Sequence, residues 1–322
     1  MIFDPAVPRR DELLRGDPVY VKYRVGESLR VVHRHADEWV AARTDGSGDI
    51  AHFPFPHDRK LDLAAIDRLL DETTTPRLVA WAAEQSATFE CRDPSGRVVA
   101  YARVQRDAAP WPALDTVRTP HVLASTKDAL LLEPLAGVRL DNLNPPRPPL
   151  GSRPAFAPYD ALVALGEALR NLNGSRPALD SVPRFARLDP GRLVTAAEVI
   201  GRVRPDAADA ANRLLERLLA HVPACEPVLI HGDANLRNAV LQPDGTVALL
   251  DLEDLSVGPA AADLGQLIAG GVPPEPLLRG YGDPPEALRW HTAASILARV
   301  ALPAISRYRP QLLKRLPQLL DA

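Results

Sequence analysis

The chain has 322 residues, of which 46% are hydrophobic and 25% charged, with a formal net charge of -3. This balance excludes general disorder, offers no basic surplus to attract nucleic acid, and leaves length for one large or two modest domains. Cys91 and Cys225 stand far apart without a C-x-x-C partner, the N-terminus lacks the apolar core of a secretory signal, and no run approaches the roughly 20 apolar residues of a membrane span, so the expectation is a soluble cytoplasmic protein with no zinc or disulfide framework and no membrane partner.

Along the chain, "SLRVVHRHADEWVAARTDG" (residues 28–46) alternates apolar and polar positions around a short break, which predicts two antiparallel strands. His33 and His35 then share a face, and without a third ligand they read as surface histidines rather than a metal site. "DLAAIDRLLDE" has the spacing of a short amphipathic helix from about Leu63. "SATFECRDPSGRVVAYARVQRD" predicts two strands about a D-P-S-G turn. The following "DAAPWPALDTVR" carries two prolines and has no room for a long helix. "ALLLEPLAG" (residues 129–137) is a strand ended by Pro134 and Gly137. A proline-rich connector, "RLDNLNPPRPPLGSRP", leads to the helix "YDALVALGEALRNLNG", closed by Gly174, and the pattern is helical again from Pro190 to His221.

The segment "VLIHGDANLRNAVL" (residues 228–241) carries the chemistry. An apolar strand stops on His231, Gly232 and Asp233, and Asn238 follows after four intervening residues. A short strand, a turn at "QPDG" and a second strand in "TVALLDLEDL" then form a hairpin, with Asp233 and Asn238 before it and Asp251 and Glu253 at its far end. Three oxygen-bearing side chains converge in that arrangement. Magnesium takes hard oxygen ligands, usually one or two carboxylates plus substrate phosphates, which Asn238 and Asp251 suit without overcharging the site. Asp233 is left to aim an acceptor hydroxyl and take its proton.

The spacing matches the protein-kinase pattern in which H-R-D is followed by Asn and then D-F-G. With His231-Gly232-Asp233, Asn238, Asp251-Leu252-Glu253 and the downstream "SVGPAAADLGQLI", the chain resembles the aminoglycoside phosphotransferase and choline kinase group of small-molecule kinases. The resemblance implies an α+β, protein-kinase-like fold of two lobes: a short, atypical nucleotide-binding lobe over residues 1–137, ending in a hinge, and a catalytic and acceptor-binding lobe over residues 138–322. It implies His231 and Asp233 in the catalytic loop, Asn238, Asp251 and Glu253 on Mg2+, and Asp263 as a brace for the loop. It also puts Arg103 where relatives carry a phosphate-binding lysine, with Lys22 as a fallback, and the main chain at Glu133 and Leu135 against adenine. Asp115 is the stand-in for the usual helix glutamate if that ion pair exists at all, and "VGES" at Gly26 is the candidate phosphate-covering turn. Tyr281, Trp290 and His291 lie in helices that wall the acceptor pocket in relatives, although aromatic residues in helices more often belong to a core.

The activity so implied is transfer of the terminal phosphoryl group of ATP, or of GTP, to a hydroxyl of a small molecule such as an aminoglycoside, sugar or amino alcohol. The alternative is a degenerate kinase fold that binds nucleotide or a partner without turnover, suggested by arginine in place of lysine. A hydrolase built on H-G-D lacks a G-x-S-x-G elbow and is set aside. The sequence sets no oligomeric state.

Overall fold

The computed structural model describes residues 4, 7, 9–143, 158–175 and 182–321. After a single helical turn, α1 (Arg10–Leu13), four strands run as an antiparallel meander: β1 (Tyr20–Arg24), β2 (Ser28–His35), β3 (Glu38–Asp45) and β4 (Ile50–Pro54). Cross-strand register sorts their side chains onto two faces. Val21, Val31 and Ala42 oppose one another in one row, while Lys22, Arg30 and Arg43 form the neighbouring row on the other face. The first face, with Tyr23 and Leu29, packs on helical residues that include Leu193, Ile200 and Ile305. The second face contributes Val32, Trp39, Ala41 and Phe53 to a separate core with Trp81 and Phe89. This meander is therefore a wedge, apolar on both sides, between the next sheet and the C-terminal helices. His33 and His35 stack with ring centroids 6.3 Å apart, and His33 Nε2 lies 3.1 Å from the Leu13 carbonyl.

The second sheet has five strands: β5 (Thr75–Ala82), β6 (Ser86–Arg92), β7 (Val98–Gln105), β8 (Val122–Ser125) and β9 (Ala129–Leu132), in the order β5-β6-β7-β9-β8. The D-P-S-G turn forms as expected, with Asp93 Oδ1 accepting from the backbone N–H groups of Ser95 and Arg97. One expectation fails here. The helix from Leu63 is only a 3-10 turn, Leu63–Ala65, without a side-chain cap. A segment of this length is marginal as a helix in isolation, and Leu61, Ala65 and Ile66 enter the core by turns instead. Gly26, the candidate phosphate-covering turn, closes the β1–β2 hairpin and donates its N–H to Asp4. In the β5–β6 turn, Glu84 holds a left-handed φ of 59°. Its carboxylate is buried between Arg30 (3.2 Å), Arg43 (3.3 Å) and Lys60 (3.4 Å), which ties the turn to the meander. Residues 106–121 form no helix, and the Arg118 carbonyl accepts from Leu249 N–H at 2.9 Å, joining this stretch to the other lobe.

Past residues 133–137 the chain forms β10 (Val138–Arg139), and the proline-rich connector from residue 144 onward falls outside the described residues. The C-terminal lobe then contains α2 (Tyr159–Gly174), α3 (Pro190–Val203), α4 (Pro205–Ala220), β11 (Pro227–Ile230), β12 (Ala239–Leu241), β13 (Val247–Leu249), β14 (Ser256–Pro259), α5 (Ala261–Ala269), α6 (Pro274–Tyr281) and α7 (Leu288–Ser295). A π-helical turn, Ile296–Ala301, continues α7 into α8 (Leu302–Ser306), followed by α9 (Pro310–Lys314) and α10 (Leu316–Asp321). Strands β10, β12 and β13 pair in that order, and β11 pairs with β14. The architecture is the α+β, two-lobed, kinase-like one, with a strand-rich N-terminal part and a mainly helical C-terminal part. No helix of the described residues is long and apolar enough to cross a membrane.

Of the aromatic residues in the C-terminal helices, Trp290 donates Nε1 to the Leu218 carbonyl and Tyr281 donates its hydroxyl to Asn173, so both are tied into the helical packing. His291 is buried, and neither ring nitrogen has a hydrogen-bond partner among the described residues. Burial pulls its pKa down to about 4. The unfolded chain then takes up this proton first as pH falls below about 6.5, and the folded chain only near 4. Stability present above pH 6.5 is lost across that window, by up to about 3 kcal/mol. His291→Phe removes the titration without breaking a hydrogen bond, and melting curves from pH 7 to pH 4 are expected to fall less steeply than for the wild type.

Candidate active site

The catalytic loop hangs on β11, which is fixed by its antiparallel pairing with β14. Gly232 adopts a φ of 76°, and a Cβ there would meet the Asp254 carbonyl oxygen at 2.0 Å. Both its left-handed backbone and this close approach require glycine. Asp263, in the first turn of α5, accepts the N–H of His231 at 2.7 Å and of Gly232 at 3.0 Å, one on each carboxylate oxygen. Burial pushes the Asp263 carboxyl up, opposed by His231 and by these two donors. The His231 ring lies between a carbonyl that can only accept, Leu250 O at 2.8 Å from Nε2, and an N–H that donates, Asp233 N at 3.3 Å from Nδ1. Those contacts suit a ring N–H at Nε2 and an acceptor at Nδ1. His231 thus positions the loop, with both ring nitrogens committed to backbone.

Asp233 follows, and its carbonyl receives the side-chain amides of Asn235 at 2.9 Å and Asn238 at 3.1 Å. Its carboxylate is held by cations. Arg299 donates to Asp233 Oδ1 and, at 2.9 Å, to the Gly232 carbonyl. Gln266 donates to the same oxygen at 3.0 Å, and Arg187 approaches it at 3.7 Å while also pairing with Asp254. Burial raises the Asp233 carboxyl, but Arg299, Gln266 and Arg187 outweigh it and the net shift is downward. The group is therefore ionised at neutral pH and suited to orienting a hydroxyl, while being a weak base. Arg299, Gln266 and Arg187 were not singled out from the sequence. The available signal was one arginine inside the apolar helical run "AASILARVALPAI", where only a paired charge is tolerated.

The β12–β13 hairpin forms as expected, with Ala239 opposite Leu249 and Leu250 N–H bonded to the Asn238 carbonyl at 2.9 Å. This brings Asn238 beside Asp251, which turns the chain out of the strand at a left-handed φ of 58°. Arg103 on β7 spans Asp251 Oδ1 (3.1 Å) and Glu253 Oε1 (2.6 Å). Its carboxylate partners are thus Asp251 and Glu253 and not Asp115, which lies in the helix-free stretch 106–121. Lys22 sits on β1 of the meander and takes no part in that pair. Burial pushes the Glu253 carboxyl up to about 7, with Asp251 and Asp254 adding to the rise and Arg103 opposing it. No cluster of three His, Cys, Asp or Glu side chains suited to a metal occurs among the described residues. Asn238 Oδ1 and Asp251 Oδ2, however, accept no hydrogen bond among the described residues. Two free hard oxygens fit a Mg2+ whose shell is completed by phosphates and water.

At the hinge, Glu133 N–H bonds the His121 carbonyl at 2.9 Å, and its carboxylate takes Arg118 and His121 N–H. The Glu133 carbonyl and Leu135 N–H have no backbone partner among the described residues, which leaves an acceptor and a donor on the edge expected to meet a base.

The sequence model of the phosphotransferase enzyme family matches residues 92–291. The chain belongs to this family. No curated protein sequence matches the phosphotransferase. Solved structures share its fold at low identity. A spectinomycin phosphotransferase in its AMP-bound complex is 13% identical with a TM-score of 0.54, over 82% of this chain and 96% of that one. An ADP-bound aminoglycoside phosphotransferase is 14% identical, with a TM-score of 0.52 over 81% and 97% of the two chains. A choline/ethanolamine kinase family protein from Mesorhizobium loti is 17% identical, with a TM-score of 0.50 over 80% and 89%. The family match begins at residue 92, so the β1–β4 meander lies outside the matched part of the phosphotransferase.

Proposed function

We propose that the protein transfers the terminal phosphoryl group of ATP, or of GTP, to a hydroxyl of a small molecule, with Mg2+ as cofactor. The observation that carries this reading is the single unit formed by the loop and hairpin: Asp233 ionised and aimed by Arg299 and Gln266, with Asn238 and Asp251 side by side behind it. Asp233 orients the acceptor hydroxyl and receives its proton, and Asp263 and His231 keep the loop in place. Asn238 and Asp251, with Glu253 nearby, would hold Mg2+, which would supply positive charge to offset that of the nucleotide phosphates. Arg103 reaches the nucleotide phosphates from β7 by exchanging one carboxylate partner for them. The free Glu133 carbonyl and Leu135 N–H receive the base. Residues 1–137 and 138–322 act as the two lobes that enclose the nucleotide.

The fork of Arg103 onto Asp251 and Glu253 also favours a second reading, in which the arginine holds both carboxylates permanently and nucleotide binds without turnover. Release of ADP or GDP, with Mg2+ and pools of small hydroxyl compounds, separates the two. Acceptor-dependent release supports phosphoryl transfer. Nucleotide binding with no release from any pool supports the second reading.

A further inference from the structure

One cation at Asp233, Arg187, comes from neither the catalytic loop nor the helices behind it. The stretch that carries it, residues 183–187, runs beside β14: Phe185 N–H bonds the Val257 carbonyl at 2.9 Å, and Val257 N–H bonds the Pro183 carbonyl at 2.8 Å. Phe185 lies so near Gly258 that a Cβ on the glycine would meet the Phe185 Cβ at 2.6 Å, and Leu188 is buried in the core with α3. Residues on both sides of Arg187 are thus fixed, and its guanidinium is delivered to a set place.

That place is the open side of Asp233. Arg187 Nη1 lies 3.7 Å from Asp233 Oδ1, and Nη2 pairs with Asp254 Oδ2. Arg299 and Gln266 already hold Asp233 Oδ1, so the aim of the carboxylate does not depend on Arg187. Asp233 Oδ2 accepts no hydrogen bond among the described residues, which leaves it for an incoming hydroxyl. The Arg299 side chain is buried, whereas Arg187 is 37% exposed, beside Asp233 at 33% and Asp254 at 38%. A hydroxyl compound that reaches Asp233 therefore comes within reach of Arg187. A guanidinium has five N–H donors, and Arg187 has no partner among the described residues besides these two carboxylates.

Charge narrows what can bind there. Asp233 and Asp254 are matched by Arg187 and Arg299, two carboxylates against two guanidinium groups. An acceptor with an ammonium beside its reacting hydroxyl gains no net attraction and must displace Arg187 from Asp254. An acceptor with an anion there meets both carboxylates. A neutral acceptor bears neither cost: one hydroxyl donates to Asp233 Oδ2, and a neighbouring oxygen accepts a charge-assisted hydrogen bond from Arg187.

We infer that Arg187 is the acceptor-specificity residue, and that the acceptor is a neutral polyhydroxy compound whose oxygen next to the reacting hydroxyl accepts from the Arg187 guanidinium. This rests on the kinase reading above and names its substrate class.

The test is release of ADP or GDP by the full chain with Mg2+ and ATP or GTP, given three pools: neutral sugars with polyols, hydroxy acids with sugar phosphates, and amino alcohols with aminoglycosides. Release with the neutral pool is expected. Arg187→Gln is expected to raise KM for the neutral acceptor about tenfold or more, with KM for the nucleotide unchanged, and to raise kcat/KM for the amino pool, because Asp254 is freed. Arg187→Lys keeps the charge without the fork, and is expected to exclude amino compounds still while recovering part of the neutral affinity. Arg187 and Asp254 are both more than a third exposed, so either variant leaves groups that water can reach. Preferred turnover of the amino or the anionic pool by the wild type overturns the inference. So does an Arg187→Gln variant in which the neutral and amino pools fall together, the mark of a structural role. A melting shift with Mg2+ and ADP but no release with the neutral pool overturns this inference alone, whereas no melting shift at all counts against the kinase reading and takes the inference with it.

Discussion

Asp233→Asn is expected to lower the rate of phosphoryl transfer by about 100- to 10,000-fold, the range for a positioned acid or base, while nucleotide binding is nearly unchanged. Asparagine keeps the shape of the side chain, but it loses the charge that aims the acceptor and takes its proton. The downward shift produced by Arg299, Gln266 and Arg187 means that Asp233 contributes orientation more than basicity. The substitution also strips a counter-charge from Arg299, whose side chain is only 7% exposed, so a lower melting temperature accompanies it. Release of ADP by the variant, measured below its own melting temperature and with the Mg2+–nucleotide melting shift as a binding control, checks the prediction. Wild-type turnover in this variant would refute the role of Asp233.

The second large effect is on stability. Glu84→Gln leaves Arg30, with a side chain only 9% exposed, beside a neutral amide. Removing one partner of a buried ion pair costs about 3–5 kcal/mol, because the remaining charge is neither solvated nor compensated. For this cluster the loss is shared by Arg43 and Lys60, which are more exposed and recover water. A fall in Tm on the order of 10 °C is expected. Glutamine keeps a non-glycine residue at the left-handed φ, so the turn itself offsets none of this loss. Substituting exposed Asp49 provides a control expected to stay within about 0.5 kcal/mol of wild type. If Glu84→Gln melts with the control, Glu84 does not fasten the meander to the second sheet.

What was legible in the sequence was what depends on near neighbours. The strand ending at His231, the hairpin from Ala239 to Leu249, the D-P-S-G turn and the helices from Tyr159 and Pro190 each follow from alternation, turn chemistry or helical spacing within a short window. Asp263 was legible because motif spacing puts it there, and its two N–H bonds to the loop give that spacing a physical reason. The partners of Arg103 were not legible. They lie 148 and 150 residues downstream, and nothing local to β7 encodes them. Glu84 was missed for the same reason, since its cations come from β2, β3 and the loop before β5. The Leu63 helix failed because periodicity alone does not overcome the cost of nucleating a short helix when apolar residues can reach a core by turns. Arg299 was legible only as an anomaly, a charge in an apolar helix, and its partner required the fold.

The most direct test of the account is thermal melting with ATP or GTP, each with and without Mg2+, for the wild type and for Asp251→Asn. Nucleotide at a hundred times its dissociation constant adds about 2.7 kcal/mol, a shift of several degrees. The account predicts a shift that needs Mg2+ in the wild type and loses that dependence in Asp251→Asn. No shift with either nucleotide, or a Mg2+-dependent shift that persists unchanged in Asp251→Asn, would contradict a nucleotide–metal site at Asn238 and Asp251.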